Sequence, residues 1–277
     1  MKLGFAFVPT LPPEQLVAIA TACEKAGLDE LWLWEDSFKN SGIATAAMAL
    51  ASTSRITVGI GLLPAPLRSV AVTAMEFSVL GRAYPGRFIG GVGHGVQEWM
   101  GQAGVRVASP LTLLREYTVA LRALLAGESV TTNGRYVQLD NVKLAWPADV
   151  PIYLGGGGPK SRALMGELGD GSLLSASLSD AQVAEAAQQI ATKHPIIATT
   201  IAATGPGAQQ RVDREVPLWG GTAGIGIGVA GDGAAVAASV SRLAQYGVTS
   251  VAIQPTEDEP DLLGFIEFLG REVRPLL

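Results

Sequence analysis

Three glycine clusters, two histidines and the adjacent carboxylates Glu35 and Asp36 are the residues whose types and spacing could do chemistry. Gly155-Gly156-Gly157-Gly158-Pro159-Lys160-Ser161 follows a short apolar run and opens a helical pattern. Backbone without side chains, unpaired N–H groups at a helix start and an adjacent lysine suit a bound anion such as a phosphate. A tight turn is the alternative reading of four successive glycines. Pro159 breaks the pattern of the nucleoside-triphosphate loop, whose lysine must follow glycine, so that chemistry is excluded.

The second cluster, Gly90-Gly91-Val92-Gly93-His94-Gly95, ends another apolar run. Glycines this dense leave room for something flat. His94 could donate to that ligand or be a satisfied structural histidine. The third cluster, from Gly226 to Gly231, has the spacing GxGxxG before a helical stretch at 234–246. No full strand precedes it and Glu257 lies too far on to serve as a ribose acid, so it reads as loop glycines rather than a dinucleotide site. Glu35 and Asp36 follow Trp32 and Trp34; either carboxylate could orient a polar ring edge or cap a loop. Trp99 and Trp219 could wall an apolar pocket or simply pack. His194, just before Pro195, reads as structural.

The elements that must position these residues are eight short β-rich runs, at 3–8, 31–35, 56–63, 88–92, 152–154, 172–175, 196–202 and 250–254. Helical spacing fills the intervals, as in Leu16, Ile19, Ala20, Cys23 and Gly27. Ser179 with Gln182 forms a capping box before a helix reaching about Thr192. Strand then helix, repeated, means parallel strands with right-handed crossovers, and eight such units favour a closed (β/α)8 TIM barrel over an open doubly wound sheet. The clusters then fall at the C-terminal strand ends, where barrel enzymes keep their chemistry. Two connections are long enough to be insertions. The one after strand 4 carries Leu114, Tyr117, Leu121 and Leu124 on one helix face, then a hairpin at 130–137 with a type I′ turn at Asn133-Gly134. The one after strand 7, at 205–231, reads as a mobile or collapsed loop over the barrel mouth, or as packing filler.

The 277 residues are 48% hydrophobic and 16% charged, with a mean hydropathy of +0.31, which fits one large domain over 1–277 with a sizeable core. A net charge of −5 without a basic stripe argues against nucleic acid or an anionic membrane surface and for a small-molecule ligand. Cys23 is the single cysteine, so no intrachain disulfide forms, and two histidines exclude a multi-histidine zinc cage; no metal is expected. No apolar run approaches the ~20 residues of a membrane span, and the apolar N-terminus meets prolines too soon for a signal segment, so the expected location is cytoplasmic. The 34 glycines are the surplus to explain.

Taken in order, several pieces resemble the luciferase-like monooxygenase family, in particular its branch of oxidoreductases dependent on the deazaflavin coenzyme F-420 (F420). They include Ala26-Gly27-Leu28-Asp29, Glu35-Asp36, Ile60-Gly61-Leu62-Leu63-Pro64 with Leu67-Arg68, Gly86-Arg87-Phe88, Gly91 to Gly95, Gly134-Arg135-Tyr136, Gly155 to Lys160 and Gln245-Tyr246-Gly247-Val248. The resemblance implies a barrel of the bacterial luciferase-like type holding a deazaflavin, or alternatively FMN, at its mouth. It implies a non-prolyl cis peptide at Gly61–Leu62, in a bulge against which the ring packs. Asp36, Gly61, Leu62, Leu63, Gly93, His94 and Gly95 would then surround the ring. Gly155, Gly156, Gly157 and Gly158 with Lys160 would hold the phosphate-bearing tail, and Asp36 and His94 would be the catalytic polar partners. Ser37 stands where some relatives that oxidise alcohols or sugar phosphates have a histidine, and Val96 where the sugar-phosphate type has a glutamate, which disfavours sugar-phosphate oxidation. The implied activity is hydride transfer between C5 of the coenzyme and a small organic substrate. The alternatives are a reduced-FMN monooxygenase with a partner flavin reductase and a non-catalytic flavin or deazaflavin carrier. Homodimers are common in the family.

Overall fold

The computed structural model describes residues 1–191, 193–224 and 227–277. Eight parallel strands form the barrel: β1 (Lys2–Phe7), β2 (Glu30–Leu33), β3 (Thr57–Ile60), β4 (Phe88–Gly93), β5 (Ile152–Gly155), β6 (Gly171–Leu174), β7 (Ile196–Ala203) and β8 (Ser250–Pro255). All eight apolar runs are present as strands, their ends shifted by a few residues. Buried on both faces, they carry near-continuous apolar side chains rather than an alternation. Phe5 pairs with Leu31, Leu33 with Ile60, Val58 with Phe88 and Val92 with Leu154. The ring continues through Leu154 with Ser172, Ser172 with Ile196 and Ala198 with Val251, and closes where Phe5 pairs with Ile253.

Among the described residues ten α-helices surround or extend it: α1 (Leu16–Lys25), α2 (Gly42–Ala51), α3 (Val70–Ala83), α4 (Gln97–Gln102), α5 (Pro110–Leu125), α6 (Pro159–Leu168), α7 (Asp180–Ile190), α8 (Ala208–Leu218), α9 (Gly233–Ala244) and α10 (Leu262–Phe268). The spacing read for α1 buries Leu16, Ile19, Ala20 and Cys23. The capping box at Ser179 and Gln182 starts α7, satisfying two backbone N–H groups that have no partner inside the helix. Thr192, the expected end of that helix, lies outside the described residues. The main core lies between these helices and the outer strand faces, around Phe5, Leu31, Phe77, Leu114 and Leu121.

Inside the barrel a second cluster of Ala6, Trp32, Ile89, Tyr153, Ile197 and Ala252 fills the lumen. Trp32 and Tyr153 face each other at a ring-centroid distance of 6.1 Å. A Cβ at Gly59 would enter the Trp32 indole, and one at Gly171 would enter the Tyr153 ring. At the foot of the barrel the buried Glu30 carboxylate accepts from Trp32 Nε1 at 2.9 Å, Ser250 Oγ at 2.7 Å and Lys2 Nζ at 3.0 Å. A charge taken out of water needs such partners to be tolerated.

Both insertions are present, and each corrects an expectation. The hairpin after β4 pairs Val130–Asn133 with Gln138–Val142, but Asn133 lies opposite Gln138 and four residues close the turn. A type I′ turn needs positive φ at both central residues, and neither Asn133 nor Gly134 has it. The Glu116 carboxylate instead organises the loop, accepting from the N–H groups of Arg135, Tyr136 and Val137 at 2.9, 2.8 and 3.1 Å. The segment 205–231 is not one loop, because α8 occupies much of it and Val229–Ala230 adds a short parallel pairing to β7. Gly226, which opens the GxGxxG spacing, lies outside the described residues. Gly228 is at φ +76° and packs against Val212 and the Ile201 carbonyl.

Gly91→Ala would drive a Cβ into the Ile60 carbonyl, a backbone atom that cannot rotate away. Its unfolding free energy in urea is expected to fall by about 3 kcal/mol. Gly157→Ala, which meets nothing within 4 Å, is expected to change it by no more than about 1 kcal/mol.

Candidate active site

A cavity of about 320 Å³ opens at the C-terminal strand ends. Three groups of residues shape it. The first comes from the end of β2, where adjacent carboxylates divide into two roles. Glu35 is buried, accepts the N–H of Gly42 at the start of α2 at 2.8 Å, and is gripped by the Arg68 guanidinium on both oxygens. It is committed to joining β2, α2 and the segment after β3. Asp36 also lines the cavity, and its side chain accepts no hydrogen bond from the described residues. Burial holds its carboxyl above the ordinary aspartate range, with Lys39 pulling partly the other way.

The second group lies between β3, β4 and α6. The peptide Gly61–Leu62 is cis, as the resemblance implied, and Ser37–Phe38 is a second cis peptide that sequence reasoning did not anticipate. Leu62 lines the cavity and stands over Gly93 and Gly155, where a Cβ would strike it. Leu63 turns outward and is buried in the main core. The room left by the β4 glycines is thus mostly taken by protein: Phe77 sits against Gly90, Ile60 against Gly91 and Leu62 against Gly93. His94 and Gly95 do reach the cavity. His94 Nδ1 is 3.1 Å from the Gly95 carbonyl oxygen, which can only accept, so in the neutral ring the proton sits on Nδ1. Nε2 is left to face Ser161 Oγ at 3.5 Å in the first turn of α6.

Gly158 is the N-cap of α6 and Pro159 its first residue, where a missing N–H costs nothing. Gly155, Gly156 and Gly157 line the cavity, whereas Gly158 and Lys160 are exposed outside it. The cation that does line it is Arg162, one helical turn after Gly158 and 8% exposed. Its Nη1 donates to Gln189 Oε1 at 2.9 Å, and its buried Nε has no partner among the described residues. Sequence reasoning chose Lys160 by adjacency; the helical i, i+4 rule counted from Gly158 points to Arg162.

The third group is the wall brought by the insertions. Trp219, just past α8, packs edge-on against Trp34 at 5.2 Å and 69°. Its Nε1 donates to Glu215 Oε1 at 2.6 Å; the buried Glu215 also accepts from the Glu257 N–H at 2.8 Å and from Gln254 Nε2 at 3.4 Å. Trp99 of α4 and Leu173, Leu174 and Ala176 of β6 and the segment after it also line the cavity, with Ser175 and Thr199 adding hydroxyl groups. The residues of the β6 end were missed because a short apolar strand end carries no chemical signature. His194 lies away from the cavity, with Nδ1 3.0 Å from the Gly169 carbonyl oxygen and Nε2 2.7 Å from Ser172 Oγ.

Of the expected site residues, Asp36, Gly61, Leu62, His94, Gly95, Gly155, Gly156 and Gly157 meet at this cavity, and Leu63, Gly93, Gly158 and Lys160 do not line it. Among the described residues no group of three or more His, Cys, Asp or Glu could hold a metal ion, and no helix is long and apolar enough to cross a membrane.

Residues 3–250 match the family model described as luciferase-like monooxygenase. The chain belongs to that family. It is 36% identical over 179 residues to a 5,10-methylenetetrahydromethanopterin reductase of Methanolobus tindarius, 64% of this chain and 55% of that one. It is 33% identical over 188 residues to an F420-dependent glucose-6-phosphate dehydrogenase of Kineococcus radiotolerans, covering 62% of this chain and 55% of that one. The chain thus spans about half the length of the curated relatives it matches. Among solved structures, the coenzyme F420 dependent tetrahydromethanopterin reductase from Methanopyrus kandleri superposes over 99% of this chain and 98% of that one, with a TM-score of 0.83 and 20% identity. That likeness is one of fold.

Two outcomes check this luciferase-like site. Because the folded state binds the Asp36 proton more tightly than the unfolded chain, stability relative to Asp36→Asn is expected to fall as pH rises above the ordinary aspartate pKa of ~3.9 and to level off beyond the raised folded value. Urea unfolding of both proteins across that range reads the difference. Glu215→Ala strips three donors of their acceptor; it is expected to cost about 1–3 kcal/mol and to increase iodide quenching of tryptophan emission as Trp219 loosens.

Proposed function

We propose that this protein is an oxidoreductase that uses coenzyme F420 to move a hydride to or from a small organic substrate in the mouth cavity. The observation that carries the reading is one cavity with an anion cradle at one end and an apolar slot beside it. The cradle is Gly155 to Gly157, the start of α6, and the unpartnered Nε of Arg162. The F420 dependence named for the Kineococcus relative supports the choice of coenzyme.

When bound, a deazaflavin supplies hydride donation and acceptance at ring carbon C5. The protein's part is binding, orientation and proton handling. The glycine N–H groups and Arg162 would hold the phosphate-bearing tail, with His94 Nε2 and Ser161 at the same end. Leu62, Gly61 and Trp34 would bound the ring. Asp36, the lining carboxyl with no committed partner and a raised pKa, would hold or release a proton at the substrate. Trp99 and Trp219 would keep water out. Ser37 and Val96 offer neither the histidine nor the glutamate of the alcohol- and sugar-phosphate-oxidising pattern, which argues against a sugar phosphate.

The test is a titration of purified protein with F420 and with FMN, followed by the anisotropy of each coenzyme's emission. F420 is expected to bind, and Arg162→Ala to weaken it by about tenfold or more with an unchanged far-ultraviolet spectrum. Tight FMN binding with none of F420 overturns the reading in favour of the reduced-FMN monooxygenase. F420 binding with no substrate-dependent bleaching across a broad panel reduces the protein to a carrier.

A further inference from the structure

Four of the chain's five tryptophans, Trp32, Trp34, Trp99 and Trp219, line the mouth cavity. They arrive from three places, the end of β2, helix α4 and the residue after α8. The polar edges of two are turned away from the opening: the Trp32 N–H is taken by Glu30 and the Trp219 N–H by Glu215. What these two offer the cavity is ring hydrocarbon, and Leu173, Leu174, Ala176 and Leu178 continue the apolar surface. Tryptophan supplies a large, stiff, flat contact, and offset or edge-on partners of the same kind are preferred; Trp34 and Trp219 already meet that way.

The charges point in the same direction. Among the described residues Arg162 is the one lysine or arginine lining the cavity, and it sits beside the glycines of α6. Glu35 is neutralised by Arg68. Asp36 remains, so an anionic substrate would meet a carboxyl group and no second cation. We infer that the substrate of this site is an uncharged compound with a flat conjugated ring, held among Trp34, Trp99 and Trp219. The inference rests on the hydride-transfer reading for its reaction, but not for its recognition.

The test is calorimetric titration of the F420-loaded protein with three probes: 2-naphthaldehyde, which is flat and neutral; decanal, neutral and flexible; and 2-naphthoate, flat and anionic. 2-Naphthaldehyde is expected to bind at least about tenfold more tightly than either of the others. Trp219→Leu and Trp99→Leu are each expected to erase its advantage over decanal when compared on protein saturated with F420, the saturation read by anisotropy. If one variant loses F420 affinity through misfolding, the other decides. Decanal or 2-naphthoate binding as tightly as 2-naphthaldehyde overturns the inference, as does an undiminished preference in a variant that still binds F420. Should the wild type bind no F420, the same titration on the unloaded protein separates the two ideas: a preserved preference upholds the ring site and removes only the hydride-transfer reading.

Discussion

The Trp32 indole can lie across the barrel lumen because β3 has no side chain at Gly59. Most other features of the interior follow from that exchange of one large ring for an empty position. Tyr153 stands against Gly171 by the same exchange, and Leu62 covers Gly93 and Gly155 higher up. A few bulky groups opposed to glycines fill the lumen as densely as alternating medium-sized side chains would, and interiors tolerate little slack. The filled lower lumen puts a floor under the mouth and leaves the cavity at the strand ends. The same packing makes Glu30 necessary, since the N–H of a buried indole needs an acceptor.

The two carboxylates that end β2 show how local wiring separates structure from chemistry. Glu35 is spent on Arg68 and on the first N–H of α2, a pairing that ties three segments together and engages both of its oxygens. Asp36, one residue on, is denied such partners and is partly desolvated. Burial without such a partner holds the Asp36 carboxyl above the ordinary aspartate range.

The barrel was legible because buried parallel strands are short uninterrupted apolar runs and the intervals carry helical spacing with recognisable caps, Ser179 and Gln182 among them. What escaped was decided by tertiary partners. Asn133-Gly134 is a strong turn signal, but Glu116, seventeen residues earlier than Asn133, dictates a wider loop. Helix α8 was hidden by Pro217 and by glycines on either side, although Ala208, Val212 and Val216 repeat at intervals of four. Leu62 and Leu63 could not be told apart from the sequence because adjacent residues leave the chain on opposite sides, one into the mouth and one into the core. The same gap between adjacency and direction separates Lys160 from Arg162.

Helix α8 has its own small hydrophobic cluster, in which Ala208, Val212, Val216 and Ile227 pack on Ile201, Ala203 and Ala176, distinct from both the lumen and the main core. Exchanges within a cluster that shares few neighbours with the rest of a molecule combine additively with exchanges elsewhere. Within that cluster the seat of Trp219 can be repacked without touching the lumen cluster, and any change reaches the mouth through Trp34 and through the Glu215 bonds to Gln254 and Glu257.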